Sequence, residues 1–371
     1  MDERKKFVLI LPKNRTAYNF RGDLLKKIKS KGYDVTVTGP NTDNVDKILA
    51  LGVAFKEIRM NKSGVNPFAD IRYMLELKRF LTEEKPDAVL GYTSKPVIYG
   101  SIAAKLAGVR NINAMITGVG YAFIAKTAKA KLVNKIMRIL YKTGLGCADN
   151  VIFQNRDDMS DFLKYKLVNE KKCSIVSGSG VNMEHFSEQG YPDKCTFFML
   201  SRALKSKGVR EYLEACEIVK KKYGDKVRLL YLGAVEQMQD SLSKEEIEPY
   251  IKNNLIEYFG ETDDVRPFYN MTSVFVLPSY REGTPRTVLE AMAMGKPIIT
   301  TDTPGCRETV KDGYNGFLVP AKDSNALADR MGYFIDNPKK ISAMGENSVR
   351  LCRDKFEVNK VNDDMCRIMN I

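Results

Sequence analysis

The sequence predicts an α/β protein: two doubly wound parallel-sheet (Rossmann-like) domains in tandem. Three observations carry this. Short apolar runs alternate with helix-length amphipathic segments along the whole chain, the pattern of a parallel sheet covered by helices on both faces. The alternation restarts near the middle, after a stretch rich in Gly, Ser and turn formers at 178–192. The length of 371 residues also exceeds what one hydrophobic core usually supports.

Strands are expected first at 7–11 (Phe-Val-Leu-Ile-Leu), 35–39, 87–91, 111–116, 150–154 and 173–177, with helices around 20–30, 67–84, 97–107, 129–144 and 157–165. The second half repeats the scheme, with strands at 196–201, 227–232, 255–259, 273–277, 297–301 and 316–319 and helices around 206–223, 264–271, 285–294 and 323–336. These apolar runs suit strands buried on both faces. The domains are expected at 1–185 and 186–355, with a final helix at 356–371 packing back on the first. Ligands of such sheets bind at the carboxyl ends of the strands, so the two units are expected to face each other across a cleft.

The composition, 44% hydrophobic and 28% charged, is that of a globular protein. Seven scattered cysteines form no Cys-x-x-Cys pair, which argues for a reducing compartment and against a disulfide framework or structural zinc. There is no apolar region of signal-peptide length at the N-terminus and no uncharged run long enough to span a bilayer. The expectation is a cytoplasmic protein that does not cross a membrane. The net charge of +13 is confined to one half: residues 1–185 carry 32 Lys and Arg against 18 Asp and Glu. Between Asp87 and Asp149 lie nine cations and no acid, so the first domain is expected to face an anionic partner.

The most informative run is 278–291. Val274-Phe275-Val276-Leu277 reads as a buried strand, Thr284 suits a helix N-cap and Pro285 the first helical position. Glu282 then falls in the loop at the strand's carboxyl end, and Glu290 in the second turn of the helix. The helix start suits a phosphate, and acids beside an anion site suit neutral hydroxyls of a sugar or ribose. A capped surface helix with two solvated acids is the plain alternative. A second strand, 196–201, ends at Arg202, with Lys207 before the next helix. Arg offers a bidentate fork and Lys a point charge to a diphosphate; ordinary surface cations are the alternative. No Asp-x-Asp pair occurs and the single histidine, His185, stands alone. A metal-held diphosphate, a zinc site and a Ser-His-Asp triad are therefore not expected.

These residues resemble the retaining glycosyltransferases of family 4, which have the GT-B fold. The resemblance rests on Glu282-x7-Glu290 within Pro278-Ser279-x-x-Glu282-Gly283-x-Pro285, on 295–310 and 312–319, on Arg202 with Lys207-Gly208, and on the 178–186 segment. It covers the whole second half. In the first half, where many members have a Gly-Gly loop, residues 12–21 contain no glycine. That loop, with 95–101 and 116–123, is similar to the subgroup that extends polyprenyl-diphosphate-linked oligosaccharides for capsule, O-antigen or protein glycosylation. A histidine of many relatives is missing, and Thr117-Gly118 occupies its stretch.

The resemblance implies a nucleotide-sugar co-substrate, UDP by default, a lipid-linked acceptor, and neither cofactor nor metal. It implies that Glu290 binds the ribose, Glu282 the donor sugar, and Arg202 and Lys207 the departing diphosphate. Backbone at Gly283, Thr284, Pro285 and Arg286 would line sugar and phosphate. In the first domain Tyr18, Asn19, Lys95 and Thr117 are the acceptor-side candidates.

Residues 126–142 read as an amphipathic helix whose Lys131, Lys135, Arg138 and Lys142 recur at spacings of three or four, with Leu132, Val133, Ile136, Met137, Ile139 and Leu140 on the remaining surface. It suits an anionic membrane surface or a polyprenyl diphosphate, which would make the protein peripheral on the inner face of the cell membrane. A core helix with a solvated charged stripe is the alternative. A nucleic-acid partner is not expected, because no recognised module accompanies the charge. A sugar-nucleotide 2-epimerase of the same fold is the nearest competing activity.

Overall fold

A computed structural model describes residues 4–61, 66–118, 128–188, 190–236 and 240–371, and of 128–131 the backbone alone. The chain forms two compact units, one of residues up to Ser179 plus Asn359–Ile371, the other Gly180–Val358.

The first unit holds a seven-stranded sheet: β1 (Lys6–Ile10), β2 (Asp34–Gly39), β3 (Ala54–Glu57), β4 (Ala88–Tyr92), β5 (Asn111–Ile116), β6 (Asn150–Phe153) and β7 (Cys173–Ile175). Their order is β3-β2-β1-β4-β5-β6-β7, and every pairing is parallel. The order reverses between β1 and β4. Val8, Ile10, Val89 and Ile112 join one core layer, and Phe7, Leu9 and Leu90 the other. Both faces are thus covered, as a parallel sheet requires. The last helix, Val358–Ile368, belongs from Asn359 onward to this unit. Its Met365 and Cys366, with Met369 just beyond, pack with Phe7, Leu25 and Ile28.

The second unit holds β8 (Cys195–Leu200), β9 (Val227–Leu232), β10 (Glu257–Tyr258), β11 (Val274–Leu277), β12 (Ile298–Thr301) and β13 (Gly316–Val319). The order β10-β9-β8-β11-β12-β13 is again parallel throughout. Its reversal lies between β8 and β11.

Several expectations need correction. The division falls at 179/180 and 358/359 rather than at 185/186 and 355/356. The reason is packing: Val181 and Phe186 join the second unit's core, and Val181 takes backbone hydrogen bonds with Phe356 and Val358. The edge strand β3 was not foreseen, because Ala-Phe-Lys-Glu has no apolar run and all four residues are exposed or half-buried. A helix at Lys244–Lys252 also went unread although Ser243 and Glu246 form a full capping box; Pro249 inside it masks the pattern. The helix Lys339–Leu351 was likewise not foreseen.

Candidate active site

The second unit's site is assembled where three strands end. After β8 the chain passes Arg202 and makes a single turn at Lys205–Lys207, closed by Gly208 at φ +71°. A Cβ at Gly208 would stand 2.0 Å from the Pro278 carbonyl oxygen, so only glycine lets this loop lie against the one that follows β11. The Ser206 carbonyl then accepts hydrogen bonds from Tyr280 N (2.9 Å) and Ser279 Oγ (3.1 Å). The loop after β12 closes in from the other side. The Glu282 amide donates to Pro304 O at 3.0 Å, and Gly305, at φ +78°, passes so close that a Cβ would meet Glu282 O at 2.2 Å. Thr301 and Thr303 hydroxyls both donate to Ser279 O.

This bracing brings Lys207 Nζ to 2.5 Å from Glu282 Oε1. The side chains are 23% and 13% exposed, so the pair is shielded yet reachable. Arg202 lies at the same sheet edge and pairs with Glu236, in the loop after β9, at 3.0 Å. Both groups of that pair are about one-third exposed, which keeps the bond weak and exchangeable.

The helix starts at Arg286, one residue later than expected, with Pro285 in the N-cap position (φ −70°, ψ 110°) and no side-chain cap. Thr284 therefore does not cap it. The expected capping role fails because the extended Pro285 carries the chain past that position before the helix turns. Glu290 stays in the second turn. Its Oε1 accepts from Arg286 Nε at 3.0 Å and its Oε2 from the Tyr269 hydroxyl at 3.1 Å. Burial raises the Glu290 carboxyl above its ordinary range, while Arg286 and Tyr269 pull it back. Arg286 also donates from Nη1 to Gly180 O at 2.5 Å. Its side chain thus orients Glu290, beyond the backbone contribution expected of it.

Glu236 and Tyr269 were missed by sequence reasoning. Tyr269 sits in an ordinary-looking helix, Arg266–Asn270, and only its fully buried ring beside Glu290 marks it. Among the described residues no three His, Cys, Asp or Glu side chains converge as a metal cage would require.

In the first unit the acceptor-side candidates follow the carboxyl ends of three strands. Tyr18 is half-buried under Lys47, whose Nζ is 5.5 Å from its ring, and Asn19 is exposed. Lys95 is engaged in an ion pair: its Nζ is 2.5 Å from Asp70 Oδ1, with both side chains largely buried, and the Tyr99 hydroxyl stands 3.3 Å from the other oxygen. Burial and Asp70 push the Tyr99 hydroxyl up to about 12. Thr117 lies just past β5, half-buried.

The basic helix runs Ala128–Cys147. The Lys131 side chain lies outside the described residues, as do Lys126 and all of 119–127. The expected division into a charged stripe and an apolar remainder does not hold. Asn134, Tyr141, Gly144 and Leu145 face inward, and the exposed face carries Leu132, Ile136 and Ile139 together with Lys135 and Lys142. Arg138 turns away onto the Tyr165 ring, 3.6 Å from its centroid. A second apolar stripe, Phe68, Ile71 and Leu75, is exposed on the helix Pro67–Glu84 of the same unit. Among the described residues no helix is long and apolar enough to cross a membrane.

Two Rossmann-like parallel-sheet units in tandem are the architecture of the GT-B fold. Residues 8–155 match the family described as glycosyl transferase 4-like, and residues 181–350 match the glycosyl transferases group 1. The chain belongs to these glycosyltransferases. It is 26% identical, over 90% of both chains, to the N,N'-diacetylbacillosaminyl-diphospho-undecaprenol alpha-1,3-N-acetylgalactosaminyltransferase of Campylobacter jejuni. It is 27% identical to the Escherichia coli UDP-Gal:alpha-D-GlcNAc-diphosphoundecaprenol alpha-1,3-galactosyltransferase, over 86% of this chain and 82% of that one. The same fold appears in the sucrose-phosphate synthase of Thermosynechococcus elongatus (TM-score 0.81, 18% identity, 99% and 98% covered). It appears also in Anabaena Alr3699/HepE in complex with UDP and glucose (TM-score 0.80, 15% identity, 99% of both chains).

Proposed function

We propose that the protein transfers a hexose or N-acetylhexosamine from a UDP-sugar to a polyprenyl-diphosphate-linked sugar, with retention and without a metal, in the synthesis of a cell-surface polysaccharide or glycoprotein glycan. The observation that carries this reading is the Lys207–Glu282 pair beside Arg202 at the switch point of the second sheet. A departing nucleoside diphosphate needs its charge met as it forms. Arg202 supplies a guanidinium by exchanging Glu236 for phosphate oxygens. Lys207 has three N–H donors, so it can keep Glu282 while donating to the phosphate. The uncapped start of the helix Arg286–Ala293 adds its positive end.

Glu282, held by Lys207, accepts hydrogen bonds from donor-sugar hydroxyls. Glu290, held by Arg286 and Tyr269, does the same for the ribose. Attack comes from the face the diphosphate leaves, and catalysis rests on charge stabilisation and positioning. Both named relatives above act on diphospho-undecaprenol-linked sugars, and one of them uses UDP-Gal.

The same reading makes the first unit peripheral on the inner face of the cell membrane. Its support is the exposed mixture of Leu132, Ile136 and Ile139 with Lys135 and Lys142, the composition of an interfacial helix.

The test incubates the full chain with UDP-sugars, first alone and then with a polyprenyl-diphosphate-linked sugar, with and without EDTA. The expected result is one α-linked product that forms only with the acceptor and is unaffected by EDTA. Epimerised donor in the absence of acceptor would replace this reading with the 2-epimerase.

A further inference from the structure

Arg21 is fully buried. Among the described residues its Nε and Nη1 have no hydrogen-bond partner. Nη2 is 2.9 Å from Met115 Sδ, and the guanidinium carbon lies 4.8 Å from the centre of the Tyr92 ring. A guanidinium carries a permanent charge. One ring face and one thioether do not offset the cost of burying it, so an oxyanion that reached Nε and Nη1 would be held by two charge-assisted hydrogen bonds.

The position is equally telling. Arg21 lies in the crossover from β1 to β2, Tyr92 ends β4, and Met115 is one residue from the end of β5. All three gather at the carboxyl edge of the first sheet, beside the β1/β4 reversal, where open α/β sheets bind ligands. Arg21 stands between the end of the short helix Arg15–Phe20 and the uncapped start of the longer helix Gly22–Ser30, so the opposed helix ends leave the guanidinium as the main positive charge there. Asp23, in the first turn of that helix, is not paired with Arg21. Met115 and Tyr92 are themselves buried, and the flexible thioether of Met115 is the more adaptable of the two neighbours.

We infer that Arg21 is a binding residue of the first unit for a phosphate-type oxyanion. Resting on the function proposed above, that anion is the diphosphate of the lipid-linked acceptor. The donor's own diphosphate is the other source of the same chemistry.

The test titrates inorganic diphosphate into the full chain by calorimetry, in an Arg202→Ala/Lys207→Ala background that removes the second unit's site. One equivalent is expected to bind there, and adding Arg21→Met should weaken it at least tenfold. Because Met removes an unpaired buried charge, the melting temperature of Arg21→Met should be unchanged or higher. Unaltered diphosphate binding overturns the inference, whatever the melting temperature. If binding and stability fall together, Arg21→Lys decides: recovered binding supports the site, and no recovery makes Arg21 a structural brace. In turnover assays Arg21→Met should raise the acceptor KM about tenfold or more and leave the donor KM unchanged. A rise in the donor KM instead overturns the acceptor assignment. Failure of the glycosyltransfer reading would appear separately, as wild-type protein that binds diphosphate and forms no product.

Discussion

Lys207 and Glu282, 75 positions apart in the chain, meet at 2.5 Å where β8 and β11 end. In the function proposed above, the contact joins the cation that meets the leaving diphosphate to the acid that holds the donor sugar. Loss of either partner therefore disturbs both. Lys207→Ala is expected to lower kcat by about 10²-fold or more, the scale of removing a key charge stabiliser, and Arg202→Ala likewise. Near-wild-type UDP release by both variants would reject the leaving-group role.

If Arg202 binds the donor as proposed, Glu236, its partner at 3.0 Å, is expected to compete for it. The pair is about one-third exposed on each side, so its worth is at most about 1 kcal/mol. Glu236→Gln should accordingly tighten UDP binding by no more than about fivefold. Calorimetry that finds weaker binding would make Glu236 a positioning residue for Arg202 instead.

Glu290 sets an acid limb on nucleotide binding. Burial raises its carboxyl above the ordinary value of 4.5, so on acidification it takes a proton earlier than a solvated glutamate and stops accepting from ribose hydroxyls. UDP affinity should fall as pH drops through that raised value. In Arg286→Met the limb should move to higher pH, because the cation that favours the carboxylate is gone. An acid limb that persists unchanged in Glu290→Gln would assign it to another group.

Lys296 is buried between Gly190, whose carbonyl it meets at 3.0 Å, and the Tyr191 ring at 4.6 Å. Burial lowers its amine from 10.5 to about 8. The folded state thus binds this proton less readily than the unfolded chain. The charge destabilises the fold fully below pH 8 and ceases to do so as pH rises toward 10.5. Lys296→Met should be more stable at pH 7 by about 1–3 kcal/mol, with the advantage shrinking between pH 8 and 10.5. A constant difference in thermal melts across that window would refute the assignment.

The exposed faces of two helices predict membrane affinity. Flotation with vesicles containing anionic lipid should capture the protein at moderate salt. Lys135→Glu with Lys142→Glu should reduce capture by about 1 kcal/mol per lost cation, before counting the added repulsion. Replacing Leu132, Ile136 and Ile139 by Ser should reduce it in neutral and anionic vesicles alike. Equal recovery of wild type and both variants would remove the membrane claim.

How legible each site was depended on the distance over which its parts communicate. Glu282 and Glu290 could be read because a strand, a loop and a helix start follow one another within 17 residues of local pattern. The partners that orient them could not. Tyr269 reaches Glu290 across 21 positions, and Glu236 reaches Arg202 across 34; nothing local marks either residue. The helix Ala128–Cys147 shows a different limit. Its periodicity was plain, yet which residues faced inward depended on packing against its neighbours, which set Asn134 and Tyr141 inside and left Ile136 and Ile139 outside. Arg21 is the extreme case, since one cation in an amphipathic stretch reads as surface.

The sequence by itself determined the two parallel-sheet units, the family, and the placement of Arg202, Lys207, Glu282 and Glu290 at strand ends and helix starts, because apolar periodicity and turn chemistry act over short stretches of chain. Tertiary structure alone decided that Lys207 bonds Glu282, that Arg286 and Tyr269 hold Glu290, that Lys95 is neutralised by Asp70, and that Arg21 is buried with two of its nitrogens unpaired among the described residues. Those outcomes depend on strand order and on the close approach of loops at Gly208 and Gly305. Both are set by how the whole unit packs.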